Sequence, residues 1–591
     1  MKSLFMAGTM LATAFTGQAA EELLAFPGAE GFGRYTIGGR YGADGKSTAE
    51  IYHVTNLNDS GTGSLRDAVS QKGRIIIFDV CGTIYLKSAL VFQGHNTILG
   101  QTAPGEGIQV YGNRVSFSGA NELIVRHMRF RMGSSGDSGK DACGIANGEN
   151  MIFDHVSALW GKDENFSVNP DNKGIEPRNI TIQNSIIGQG LQQHSCGGLI
   201  QTNGGVTLYR NLYIENKTRN PKVKGICQFV NNVLYNWGNA AAYNMSGDSE
   251  GTSWAEITDN YFVKGPWKSA ARPLTGGNER QHYYGEGNYY DSNINGVLDG
   301  AEFTEENYSQ SGGNRASSID EVNVGMAAQT TGTAKAFPEI AGRQTAPEAL
   351  EWVLKNVGAS LPVHDEVDRY LLDELASFGS IGTSNGISTE KVLPHQGTGT
   401  LYGGFKPTDS DKDGIPDEWE IANGLNPNDA TDAVKIAANG YTNIENYVFD
   451  IDSPYPYVKN PTALKATKIE KNAITITWKD NSDDEIGFAI EISTDNSNFT
   501  EVGKTDANVN SFTASNLADN TVYYFRVKAL GDGIESSYSP SLKSLTIDEP
   551  YAPKATTLLS PANGANMRIL NSSLSWENKT EDYFGDITYT L

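Results

Sequence analysis

The chain has 591 residues, 20% charged and 38% apolar, with 65 glycines and a formal net charge of −24. That length is several domains' worth, and the composition is that of a loop-rich, mostly β globular protein, not a disordered one. The acidic balance argues against nucleic acid and against an anionic membrane surface as partners.

Residues 1–20 read as an export signal. Lys2 is the only charge, residues 4–15 form an apolar run too short to span a bilayer, and Gly17-Gln18-Ala19 offers small residues at the cleavage position. No later stretch reads as transmembrane, so a secreted monomer without membrane insertion is expected, extracellular or at the periplasm or cell surface of a Gram-negative host. Export permits disulfides among Cys81, Cys143, Cys196 and Cys227, but four cysteines allow three pairings and the spacing selects none. The spacing fits no zinc motif, and buried thiols in strands are the expectation. Ser64 is placed to cap a short helix over Leu65, Ala68 and Val69 that covers one end of a β structure.

From about Gly73 the pattern becomes short β-rich runs: RIIIFDV, NTILG, ELIVRHMRF, NMIFDHVSALW, NITIQNSII, VTLYRNLYI, QFVNNVLYNW, AEITDNYFV and HYYGEGNYY. Many consist of a strand, a polar break and a second strand. The breaks fall at His127, His155, Asn184, Asn211, Asn232, Asn260 and Asn288, in steps of 28, 29, 27, 21, 28 and 28 residues. A β-rich period in the twenties predicts a right-handed parallel β-helix, and recurring asparagine predicts a ladder of side-chain amides from coil to coil. His155 is a turn or ladder residue on this reading, and Asp154 its buried bonding partner.

Within the repeat, RNLYIENKTRNPKVK holds Arg210, Lys217, Arg219, Lys222 and Lys224 against one acid, Glu215, a local charge of +4. A protein that repels anions overall and gathers cations in one coil is meeting an anion there. Pro221 stiffens the backbone beside Arg219; Arg210 and Lys217 read as ordinary surface charge.

Asp291, Asn293, Asn295, Asp299 and Glu302, with Gly296 at the sharp turn, match the EF-hand calcium loop at every defining position. The same pattern returns at Asp409, Asp411, Asp413, Asp417 and Glu420 around Gly414. Both are expected to staple the structure through Ca2+. Between them, APEALEWVLKNVGAS and HDEVDRYLLDELASF have helical periodicity, and Thr442-Asn-Ile-Glu445 is a capping box. Residues 461–546 alternate as a β-sandwich does, with Trp478 in its core, and LADNTVYYFRV resembles the tyrosine corner of fibronectin type III domains, with Tyr523 at the corner. The organisation expected is a mainly β chain: signal at 1–20, parallel β-helix at 21–345, a helical and calcium-loop extension at 346–455, a fibronectin type III sandwich at 461–546, and the start of a further β domain at 551–591, whose shortness points to a truncated sequence.

AFPGAEGFG, GRIIIFDVCGTI, ILGQTAPGEGI, GKDACGIANGENMIFDHVSALWGKDENFSV, HSCGGLI and KTRNPKVKG, in that order, resemble the pectate lyases of polysaccharide lyase family 1, and within it the branch with an EF-hand-like loop late in the β-helix. The resemblance covers about residues 25–450. It implies calcium-dependent β-elimination of polygalacturonate, an acidic polysaccharide, in pectin degradation. Arg219 falls on the family's catalytic base and Lys224 on its carboxylate-binding arginine, with Lys222 a further substrate contact; lysine keeps the charge there and loses the bidentate fork. Asp141 and Asp163 match calcium ligands. The acid expected four residues after Asp163 is Ser167, which Glu164 or Asp154 would have to replace. Where the family has a lysine one coil before the arginine, this chain offers Gln189, Gln192 and His194. A base with an ordinary pKa above ~12 needs help, and Lys222, Lys224 and calcium are expected to push Arg219 down.

Two other readings stand beside this one: a lyase for another uronate polymer or for methylated pectin, and a non-catalytic β-helix adhesin or glycan-binding protein, which the sandwich domain would suit. Neutral, methylated substrate calls for fewer cations, so the +4 coil favours the acidic form. Hydrolysis needs a placed carboxylate pair, and none stands out against the arginine motif.

Overall fold

The computed structural model describes residues 22–238, 242–245, 251–267, 272–329, 332–404, 406–451 and 458–547, with two short paired strands, Thr557–Ser560 and Ser575–Glu577, beyond. The export signal and most of the last β unit lie outside the described residues.

Short strands with β-branched residues facing inward stack in register, coil on coil. One face runs from Glu50–Val54 through Arg74–Phe78, Asn96–Leu99, Leu123–Arg126, Glu149–Asp154 and Arg178–Gln183 to Gln281–Glu286, every pairing parallel. A second runs from Gly82–Tyr85 to Tyr289–Asp291. A third carries Val115–Ser116, Cys143–Ile145, Phe166–Val168 and Tyr243–Met245. The strands Leu199–Tyr209 and Lys222–Val230 are long enough to take part in both the first face and the third. The result is a parallel β-solenoid. Its core is a pile of like on like: Ile76, Ile98, Val125, Phe153, Ile182, Leu208, Phe229 and Ile257 pair successively in register, all buried.

The amide ladder exists, with one shift in register. Asn211, Asn232 and Asn260 each pass both a backbone and a side-chain N–H to the next carboxamide oxygen, at 2.8–3.1 Å, and the ladder ends on Asn288. The Asn184 side chain instead donates to Asp154, and Ser185 takes the ladder position by donating its backbone N–H to Asn211. His127, His155 and Asn184 line up with Arg210, Asn231 and Asp259, the left-handed residues one place earlier, all with φ between 51° and 58°. Asparagine adopts that conformation readily and histidine tolerates it, so the two columns share a composition and are easily confused in sequence. The His127 and His155 rings stack 4.7 Å apart.

The two predicted helices, Ala346–Asn356 and Glu366–Ala376, bury Leu350, Val353, Leu371 and Leu375 against Leu159, Ile186, Leu212 and Val263 of the second face. A buried ion network fixes them. Arg131 donates to Asp365 at 2.8 Å and to Asp368 at 2.9 Å, and Ser157 donates to Asp368 at 2.6 Å. The Ser64 cap and the Thr442–Glu445 capping box both form. All four cysteines are free thiols. The C-terminal sandwich has three strands in one sheet and four in the other, with Trp478 in its core and the Tyr523 hydroxyl accepting from the Ala518 N–H at 2.9 Å.

Candidate active site

The third face gathers the candidate residues. The strand pairing Cys143↔Phe166 and the bridges Glu164↔Cys196↔Thr218 set Asp141, Glu164, Cys196 and Thr218 side by side on four successive coils. Arg219 follows in a left-handed conformation, φ 58°, which an arginine adopts only where the surroundings impose it. Its carbonyl accepts from Gly198 N–H at 2.8 Å, and the Asn220 N–H donates to Ala242 at 2.9 Å, so the coils on either side hold the turn. Beneath it runs a buried amide chain that sequence reading missed: Asn165 donates to Asn216 at 2.7 Å, and Asn216 donates to Asn220 at 2.8 Å. The signal was present as asparagines flanking Lys217 and Arg219, masked by their abundance in every turn. Lys222 and Lys224 occupy alternate positions of the next strand around buried Val223, so both share its outer side.

Arg219 and Glu164 form an ion pair. Glu164 is pushed up to about 8, by burial first and then by the neighbouring Asp141, with Arg219 opposing. Burial and the Asp163 charge also raise Asp141, which accepts from the Glu164 N–H at 3.3 Å. Burial pulls Arg219 down, but Cys196, Glu164 and Asp163 together outweigh it and leave its pKa above the ordinary value. This reverses the sequence expectation, which counted the lysines and not the carboxylates across the cleft. Lys222 is lowered, by burial and by Arg219 and Lys224. His194 Nδ1 lies 2.8 Å from Asp163, with the imidazole largely exposed. Beyond Asp141 the groove continues past Arg114, Ser116, Lys140, Ser167 and Asn169.

Comparison with known proteins gives the family. The chain is 49% identical over 436 residues to the probable pectate lyase C of Neosartorya fischeri, covering 74% of this chain and 96% of that one. It is 51% identical over 423 residues to the probable pectate lyase C of Aspergillus terreus, covering 72% and 93%. The chain belongs to the pectate lyase family. The match to a fibronectin type III domain spans residues 459–544. Among solved structures, jun a 1, the major allergen from cedar pollen, aligns at 19% identity with a TM-score of 0.36, covering 56% of this chain and 92% of that one.

Several residues of this lyase lie elsewhere than the sequence placed them. Gln189 does not reach the cleft. It is buried, accepting from Trp160 Nε1 at 3.0 Å and donating to Glu215 at 3.0 Å, in a second column of left-handed turn residues. Asp154 is buried on another face, paired with Arg126 at 2.9 Å and 3.0 Å from His155 Nδ1, so it cannot stand in for Ser167. Arg210 is no surface charge: its guanidinium sits 4.1 Å from the Trp352 ring centroid, and burial lowers its pKa.

Pectate lyase chemistry implies calcium, and the cleft carboxylates suit it. Burial, and after it the neighbouring Asp141, raises Glu164 to about 8, with Asp163 adding to the repulsion, and a divalent cation relieves it. Cys196, within 4.8 Å of Asp163 and Glu164, adds a thiol that burial pushes up to about 12 and keeps protonated.

In the first EF-hand-like loop, Asp299 accepts from the Asn293 side chain at 2.7 Å and the Asn295 side chain at 3.0 Å, while Asp291 accepts from the Asp299 N–H at 3.3 Å. Glu302 is exposed on a strand that pairs with Tyr289. In the second loop, oxygens of Asp409, Asp411 and Asp413 lie within 4.8 Å of one another, as do those of Asp413, Glu420 and Asp432. Asp417 is not among them, because both its oxygens accept from Ser410, at 2.7 Å. Asp432 takes its place from twelve residues beyond Glu420, outside the reach of any linear motif.

Proposed function

We propose that this chain is a calcium-dependent pectate lyase that cleaves (1→4)-α-D-galacturonan by β-elimination, with Arg219 removing the C5 proton. The observation that carries the reading is Arg219 held in a left-handed turn over the Asn165–Asn216–Asn220 chain, between the carboxylates of Asp141, Asp163 and Glu164 and the cations of Lys222 and Lys224. Lys222 and Lys224 bind the uronate C6 carboxylate, where negative charge grows as C5 loses its proton. Asp141, Asp163 and Glu164 would hold calcium, which would supply further positive charge at that carboxylate and favour loss of the C5 proton. The C5–H electrons form the C4–C5 double bond, the C4–O bond breaks, and the leaving oxygen takes a proton from water. Engaging Glu164 with calcium would remove one of the charges that hold the guanidinium protonated. The signal at residues 1–20 supports export to where plant polysaccharide is met.

The test is the release of unsaturated, ultraviolet-absorbing oligosaccharides from polygalacturonate with calcium present. Arg219→Ala is expected to lower kcat about 10²–10⁴-fold with little change in KM. A variant as fast as wild type overturns the role of Arg219. A wild type that binds the polymer and releases no product favours a binding protein instead.

A further inference from the structure

The second acidic loop carries more than its motif. Its Asp409–Asp413 turn, the helix Asp417–Asn423 and the turn ending at Asp432 bring five carboxylates together as two groups of three that share Asp413. Glu420 is fully buried, and neither of its oxygens makes a hydrogen bond. Asp413 Oδ2 and Asp432 Oδ1 are likewise buried without a partner. Both Asp411 oxygens are buried without a partner as well. Of the rest, Asp409 accepts from Lys412 and Gly414 N–H at 2.7 and 2.9 Å, Asp413 from Ile415 N–H at 2.9 Å, and Asp432 from Asn426 N–H at 3.1 Å. Among the described residues no lysine or arginine pairs with any of the five. An ionised carboxylate buried without donor or counter-ion is expensive, and five together more so. Backbone hydrogen bonds aim the loop so that the remaining oxygens converge.

We propose that Asp409, Asp411, Asp413, Glu420 and Asp432 form a structural site for a hard divalent cation, calcium by its all-oxygen set, and that this site fastens residues 406–451 to the N-terminal coils of the solenoid. Asp417 is no ligand; its oxygens belong to Ser410. The site is built against the barrel. A Cβ added at Gly414 (φ 94°) would come within 2.3 Å of Ile77 Cδ1, and Ile415, Ile444 and Val448 share one buried cluster with Ile75, Ile77 and Leu99. The buried Arg40–Glu445 pair, 2.9 Å, ties the neighbouring helix Asn443–Phe449 to the N-terminal segment. Binding there acts on the end of the solenoid, far along the chain from Arg219 and independently of it.

Hydrogen exchange followed by mass spectrometry on the full chain separates this site from any other, because it reads peptides of 406–451 directly. Calcium added after chelation is expected to slow exchange in that segment at least about tenfold. Glu420→Gln and Asp432→Asn should abolish most of that slowing, while Asp417→Asn keeps it. Without cation the order inverts: Glu420→Gln and Asp432→Asn are protected at least as well as wild type, because each removes one repelling charge. Equal loss in Asp417→Asn, or undiminished slowing in Asp432→Asn, overturns the ligand set. No slowing by calcium in wild type overturns the site itself.

Discussion

Glu164 shows what a single carboxyl does when its neighbours disagree. Asp141 and burial press it toward the neutral form, and Arg219 draws it toward the charged one. Its pKa of about 8 lies above its ordinary value, so in the calcium-free cleft it carries a proton below that pH. Calcium must displace that proton, so affinity for the cleft should rise as pH climbs towards 8 and flatten beyond. Glu164→Gln should bind calcium more weakly and lose this dependence. Titration calorimetry in two buffers of different protonation enthalpy measures the released proton directly; an identical heat in both at pH 7 contradicts the scheme. The cationic side of the cleft was legible in the sequence because charge is counted residue by residue. The opposing side was not, because Glu164 meets Arg219 across 55 positions, and only strand register brings them together.

At the scale of the element, the ladder and the packed helix make separate claims. Asn232→Ala leaves the Asn211 N–H and the Leu208 carbonyl without their buried partners, and each such orphan costs about 1–3 kcal/mol. A loss of about 2–4 kcal/mol is expected, read as a lower urea midpoint. The helix Glu366–Ala376 presses Glu374 against Glu215 inside the protein, and burial followed by the Glu215 charge lifts Glu374 to about 9. Its folded pKa lies above the unfolded one, so the folded state binds the extra proton. That contribution is whole below the ordinary carboxylate pKa and is lost as pH rises towards 9, at about 1.4 kcal/mol per unit. Glu374→Gln should therefore flatten the decline of Tm between pH 6 and 9. Helix periodicity showed in the sequence, as did the strands. The ladder's register did not, because asparagine serves both the left-handed column and the hydrogen-bonding column one residue later.

Across the whole molecule, the sandwich has its own core around Trp478, Phe488 and Phe525, separate from that of the solenoid. A chain ending before residue 459 should keep the lyase rate on soluble polygalacturonate within about twofold, with any loss confined to insoluble substrate; a collapse of activity on both would tie the sandwich to the site. The passage from solenoid to sandwich was readable because the period changes there, and the fibronectin type III match at 459–544 falls on the sandwich. Asp432 was not, since a motif fixes ligands by spacing and this one arrives through a turn of the tertiary fold. The register that sets Asp141, Glu164, Cys196 and Arg219 on consecutive coils has one more consequence. Each contributes from a different turn, so their separations are whole numbers of coil steps, about 4.8 Å each. Gaining or losing a complete turn outside the coils from Asp141 to Arg219 would lengthen or shorten the groove and leave the reacting centre untouched, whereas the same event between them would destroy it. The architecture thus confines heritable change in substrate length to the coils that flank the centre.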